Sequence, residues 1–107
     1  MQQRDYLQRL IEQLAAAIAR SLGAAKDGHA DEALRMLDDA WRANVGMRRS
    51  DAARLDGATL QLMLGDKTPL VARLFEAQAL IEDGRGDAVE AALARRRAMA
   101  LGGPRLP

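Results

Sequence analysis

The sequence predicts an all-α protein, and three observations carry that prediction. Apolar residues recur at spacings of three and four along most of the chain, the period of one helix face. Leucine and alanine, the strongest helix formers, dominate the apolar set, while β-branched residues are scarce. Glycines and N-capping side chains fall between the apolar stretches, where helices start and stop. Only Tyr6, Trp41 and Phe75 are aromatic, so the core must be aliphatic.

About five to six helices follow in order. The first covers 4–22: Leu7, Ile11, Leu14, Ile18 and Leu22 form its stripe, Leu10 and Ala17 widen it, and Gly23 is placed to end it. The second covers 31–45, after the turn Lys26-Asp27-Gly28-His29, with Asp31 and Glu32 at the end where the helix dipole favours negative charge. Leu34, Leu37, Trp41 and Val45 make one stripe on it; Ala33, Met36, Ala40 and Ala43 make a second face of small residues. Two apolar faces predict a sandwiched helix, and Trp41 a core residue; Gly46 ends it. Ser50 or Asp51 can cap a short helix through Leu55, which Asp56-Gly57 breaks. Leu60, Met63 and Leu64 imply a fourth, ended by Gly65-Asp66. The fifth opens with Thr68 as N-cap and Pro69 at the first helical position, where a missing N–H costs nothing. Leu70, Leu74, Ala77 and Ile81 form its stripe, with Val71, Phe75 and Leu80 beside it. After the turn Asp83-Gly84-Arg85-Gly86, a sixth helix over 87–101 turns Val89, Ala92, Leu93, Ala100 and Leu101 inward. These elements predict a single helical domain over 1–101 and a mobile C-terminal tail over 102–107.

The bulk numbers narrow the function classes. A formal charge of +1 gives the whole molecule little pull on nucleic acid or an anionic membrane. Nearly all the basic residues are arginine, with only Lys26 and Lys67 besides, which reads as coding bias rather than phosphate recognition. Without cysteine there is no disulfide or thiolate chemistry, which fits a reducing compartment. Met1-Gln2-Gln3-Arg4-Asp5 does not open a signal peptide, and the longest apolar run, 14–19, is far short of the roughly 20 residues a span needs. The expected location is the cytoplasm.

A weak internal echo is visible. Asp27-Gly28 followed by Asp31, Ala33 and Leu37 matches Asp83-Gly84 followed by Asp87, Val89 and Leu93, each a turn opening a helix behind an apolar helix. Gly28, Ala33, Leu37 and Ala40 resemble the second half of a tetratricopeptide repeat. In that family the glycine makes the helix–helix turn and the small residue lets two helices approach. Arg96 departs from the pattern where a small residue belongs, and the first-helix signature of tryptophan, leucine-glycine and tyrosine is missing from both copies. The layout as a whole resembles an uncharacterised bacterial family of short tetratricopeptide-like proteins of unknown function. That layout is an opening over 4–14, a Gly-x-x-x-Glu-Ala-Leu turn-helix at 28–34, a leucine-rich short segment and a terminal helical pair. The resemblance covers about 4–101. It implies tetratricopeptide-like antiparallel helical pairs and supplies no catalytic residues.

Repeat physics adds an expectation about partners. Stacked arrays usually need about three repeats, and this chain has roughly two, interrupted over 46–66. Either that segment acts as a cap or a second copy of the chain does, and symmetric dimers are the commonest oligomers. The expected role is therefore a non-enzymatic scaffold or adaptor acting through protein contact, including self-association as a homodimer. Tyr6, Leu7, Leu10, Ile11, Leu14 and Ile18 of the first helix are the expected interface; the competing reading packs that helix on the second and fifth.

Catalytic and metal chemistry finds little footing. His29 is the only histidine; with Asp31 and Glu32 it lacks the ligand count and spacing of a zinc site, so it reads as a solvated turn residue. Asp38-Asp39 and Glu82-Asp83 are adjacent pairs that point apart on a helix, and no Glu-x-x-His motif marks a di-iron site. No serine sits in Gly-x-Ser-x-Gly, and Gly84-Arg85-Gly86 lacks the third glycine and preceding strand of a nucleotide fingerprint. No catalytic residue, metal or cofactor is expected. The sharpest local feature is Arg95-Arg96-Arg97, with Arg48-Arg49 as a second pair, a candidate patch that gives the alternative role: a regulator binding nucleic acid or an acidic partner. Against it, three consecutive helical residues point around most of the helix, and no aromatic lies near to stack on bases. Neither nucleic acid nor a membrane is an expected partner.

Overall fold

A computed structural model of the chain describes residues 2–102, with side-chain surroundings from residue 4 onward. Its elements are α1 (Gln2–Lys26), α2 (Ala30–Ala40), which runs into one π-helical turn (Trp41–Val45), α3 (Arg49–Ala52), α4 (Gly57–Leu64), a 3-10 turn (Gly65–Lys67), α5 (Thr68–Gly84) and α6 (Ala88–Ala100). The described residues contain no strand, so the fold is all-α as the periodicity predicts. The expected mobile tail falls, from residue 103, outside the described residues.

Several helix ends differ from the sequence reading, each for a local reason. Gly23 lies inside α1 rather than ending it, at a cost of about 1 kcal/mol relative to alanine. Half-buried Ala24 and Ala25 carry the helix on, and the chain turns at Gly28, where φ is +89°. Gly84 likewise stays in α5, and Gly86, at +86°, makes the next turn. Neither Ser50 nor Asp51 caps α3, which starts after Arg48. Thr68 does not accept from a helix N–H; its hydroxyl donates to Gly65 O at 2.7 Å. Asp56 and Asp87 are the side-chain caps, accepting from Thr59 N–H at 2.7 Å and Glu90 N–H at 3.1 Å.

The two long turns are copies of each other. Gly28 N–H donates to Ala25 O and His29 N–H to Ala24 O; Gly86 N–H donates to Asp83 O and Asp87 N–H to Glu82 O. The echo therefore pairs Gly28 with Gly86, two residues later than the sequence match suggests. The same shift pairs Ala33 with Ala91 and Ala40 with Ala98, all four buried. It also corrects α6: Ala91, Ala94, Ala98 and Leu101 face inward, Leu93 is half-buried, and Ala92, Ala100 and Val89, 71% exposed, face outward.

The turns fold α1 against α2 and α5 against α6 as antiparallel hairpins, and α5 packs on both α1 and α2. The hairpins meet at Trp41 and Phe75, fully buried, with ring centroids 5.2 Å apart and planes at 63°. Leu37, Leu60, Val71, Leu74 and Ile81 are buried in the same core cluster. Short α4 lies across the open end of the second hairpin. A Cβ on Gly57 would come 3.0 Å from Ala100 Cβ, and Gln61 Nε2 donates to Ala100 O at 3.0 Å.

Candidate functional site

Helix α1 carries two adjacent apolar stripes. Leu10, Leu14, Ala17 and Ser21 are buried in the core; Ser21, fully enclosed, satisfies its hydroxyl by donating to Ala17 O at 2.8 Å. The second stripe, Ile11, Ala15, Ile18 and Leu22, faces out beside α5. Across from it α5 offers Pro69, Arg73, Glu76 and Leu80. Both stripes repeat at four, three and four, the spacing of a continuous helix ridge. Near their N-terminal ends the Lys67 ammonium lies 5.9 Å from the centre of the Tyr6 ring, so the two ridges run in the same direction. Between them lies an open groove of about 730 Å³ with a largely aliphatic wall. Ile11 is 42% exposed and Leu80 55%, high for large apolar side chains. Beyond Leu80 the apolar surface continues to Met99 of α6.

Nothing among known family models, curated proteins or solved structures matches this chain.

The structure divides the expected interface residues. Leu10 and Leu14 are withdrawn from it, because the core stripe of α1 is rotated relative to the predicted one and buries both. Leu7 and Ile18 are half-buried, and Ile11 and Tyr6 are open to solvent, Tyr6 at 50%. The sequence reading missed the α5 side of the groove. It places Leu80 beside the stripe of the fifth helix and passes over Arg73 and Glu76, although their spacing from Pro69 and Leu80 was the available signal.

The arginines sit in separate places. Arg48 and Arg49 line a small recess of about 150 Å³ with Arg42, and Arg49 Nε is held by Asp38 Oδ1 at 2.6 Å. Arg95, Arg96 and Arg97 are on α6; Arg95 is ion-paired with Asp83, Arg96 is exposed and Arg97 half-buried. The Asp83 bond raises the pKa of Arg95 above its ordinary value. Arg85 ties three elements together, reaching Glu82 Oε1 at 2.8 Å, Asp31 Oδ1 at 2.9 Å and Asp87 Oδ2 at 3.8 Å. The buried Glu82 carboxylate, then Asp31, raise its pKa too. That network holds the second turn against the start of α2, a structural use of charge.

Among the described residues no three His, Cys, Asp or Glu side chains gather in a way that could hold a metal ion. His29 is exposed in its turn, 3.5 Å from Glu32. No helix among the described residues is long and apolar enough to cross a membrane.

Proposed function

We propose that this chain is a non-enzymatic helical scaffold, built of two tetratricopeptide-like hairpins, that works by holding protein on its α1–α5 face. The observation that carries the reading is the groove itself: two parallel ridges with helical spacing flank an apolar trough open along one side. A trough between two such ridges fits the apolar stripe of a third helix. Leu10, Leu14, Ala17, Leu74 and Ile81 fill the core from the adjacent faces of the same helices; Ile18 and Leu22 pack only partly against it, and Ile11 and Leu80 are exposed. Exposed aliphatic side chains of this size, continuous over two helices, mark interaction surfaces.

The repeat part of the proposal draws support from the matched turns. Gly28 and Gly86 have the same left-handed backbone, the same hydrogen bonds, and the same small buried residue following in Ala33 and Ala91. The stacking supports it as well, since the first helix of the second hairpin packs on both helices of the first. Segment 46–67, with α3 and α4, would be an insertion between hairpins, α4 closing the end of the second.

A photo-crosslinking amino acid placed at Ala15 or Ala19 in the groove, and at Arg35 on the outer side of α2, tests the reading in cells. Protein adducts confined to the groove positions are the expected result. Absence of adducts at Ala15 and Ala19, or equal yields at Arg35, would overturn it.

A further inference from the structure

We infer that the occupant of the α1–α5 face is a second copy of this chain, turned antiparallel about a two-fold axis that lies in the interface. This rests on the scaffold reading and names its partner. The argument begins with charge. Inside an otherwise aliphatic face stand one cation and one anion, Arg73 and Glu76, and neither is ion-paired among the described residues. The face is therefore electrically balanced, which gives a strongly acidic or strongly basic partner no net attraction. A fitting partner is an apolar surface that brings an acid opposite Arg73 and a base opposite Glu76.

The chain carries such a surface. When α5 is laid antiparallel on a copy of itself, a stripe spaced four, three, four maps onto itself. Arg73 then falls opposite Glu76 of the partner subunit, Glu76 opposite Arg73 of the partner subunit, and Pro69 opposite Leu80 of the partner subunit. The α1 stripe has the same spacing, so the same axis sets Ile11 opposite Leu22 of the partner subunit and small Ala15 opposite Ile18 of the partner subunit. Along α1 two large aliphatic residues meet at the ends and large meets small in the middle, and opposite charges meet along α5. Such self-complementarity is what an isologous interface requires. An axis in the interface and perpendicular to both helices lays α1 on α1 of the partner subunit and α5 on α5 of the partner subunit in the same rotation; the proposal sets the midpoints of the two stripes on that axis.

Sedimentation of the full chain up to high micromolar concentration, with charge reversals, tests this. The expected mass is about twice the 11.6 kDa of the chain. Arg73→Glu or Glu76→Arg alone creates two like-charge contacts per dimer and raises Kd by roughly tenfold. The double reversal Arg73→Glu with Glu76→Arg restores the original value, and Arg35→Glu outside the face leaves it unchanged. Circular dichroism of each variant checks that the helices persist. A monomer at every concentration overturns the proposal, as does a dimer indifferent to both single reversals. Groove crosslinks leading only to another protein would also sink the homodimer, while leaving the scaffold reading standing; no crosslinks from Ala15 or Ala19 would remove both.

Discussion

Replacing Phe75 by leucine should loosen the joint between the hairpins, and the size of the effect can be worked from the structure. Phe75 and Trp41 are both fully buried, and they meet edge to face at 5.2 Å, within the range where aromatic pairs gain about 0.5–1.5 kcal/mol beyond area burial. Leucine also leaves part of the ring volume empty. For a site that partly collapses this adds roughly 1–1.5 kcal/mol. The expected loss is thus about 1.5–3 kcal/mol, a fall in Tm of about 6–15 °C for a domain of this size. Urea unfolding reads it directly, because Trp41 is the only tryptophan and its fluorescence reports the joint. Helix circular dichroism should fall at the same urea concentration as the fluorescence, since α5 belongs to the core of both hairpins. A cycle with Trp41→Leu, followed by circular dichroism, isolates the ring pair. A loss below about 0.5 kcal/mol together with zero coupling would refute the reasoning, and separate transitions for the two probes would show that the hairpins melt independently.

Other perturbations test the register and the caps. Ala33→Leu and Ala91→Leu should each cost about 1–3 kcal/mol through overpacking, while Ala92→Leu on the outside of α6 should stay within about 0.5 kcal/mol; thermal melts that rank them otherwise would reject the turn-based register. Gly57→Ala should destabilise by about 1 kcal/mol in urea unfolding, against the usual gain for alanine in a helix, because its Cβ would press on Ala100. The Asp56 carboxylate is held below its ordinary pKa, chiefly by the Thr59 backbone N–H. The sign follows from that depression: the cap stabilises the protein above the ordinary aspartate range and loses its charged contribution as pH falls through the lower, folded value. The gap in Tm between the native chain and Asp56→Ala should therefore be widest near neutral pH and narrow in acid.

Much of this architecture was legible because helix punctuation is local chemistry. Gly28, Gly46 and Gly65 end or turn the chain where their sequence neighbours suggested, and each has positive φ. Trp41 fitted an apolar stripe and is buried. The rotation of α1 was not legible, since two stripes of equal period compete on it. The buried one ends in Ser21, a residue that hydropathy assigns to solvent and that stays inside by bonding its own helix backbone. The register of α6 was hidden for a related reason. Alanine fills both faces, so burial follows from close helix approach rather than apolar contrast, and it took the backbone bonds of the second turn to show that Gly86 matches Gly28. The α5 side of the groove was obscured by its own composition, because an arginine and a glutamate in the middle of a stripe read as an ordinary solvated face until the fold sets them beside Ile11, Ile18 and Leu22.

The doubling of stripes on α1 is also where the physical case for a binding function is strongest. A helix at the edge of a small domain needs one apolar face to join the core, and the stripe through Leu10, Leu14 and Ala17 supplies it. A second stripe of Ile11, Ile18 and Leu22 lies beside it: Ile18 and Leu22 pack partly against the core, while Ile11, 42% exposed, carries the standing liability of exposed aliphatic surface. Leu80 on α5 repeats the pattern: its helix is anchored by Leu74, Ala77 and Ile81, yet Leu80 stands half in solvent beside the groove. Ile11 and Leu80 thus stand exposed on two parallel helices that other residues already anchor in the core. Two unlike charges break that outer surface at one central level. On the homodimer proposal, closing this face on its own copy would pair those charges and cover the exposed aliphatic side chains, which solvation does not do.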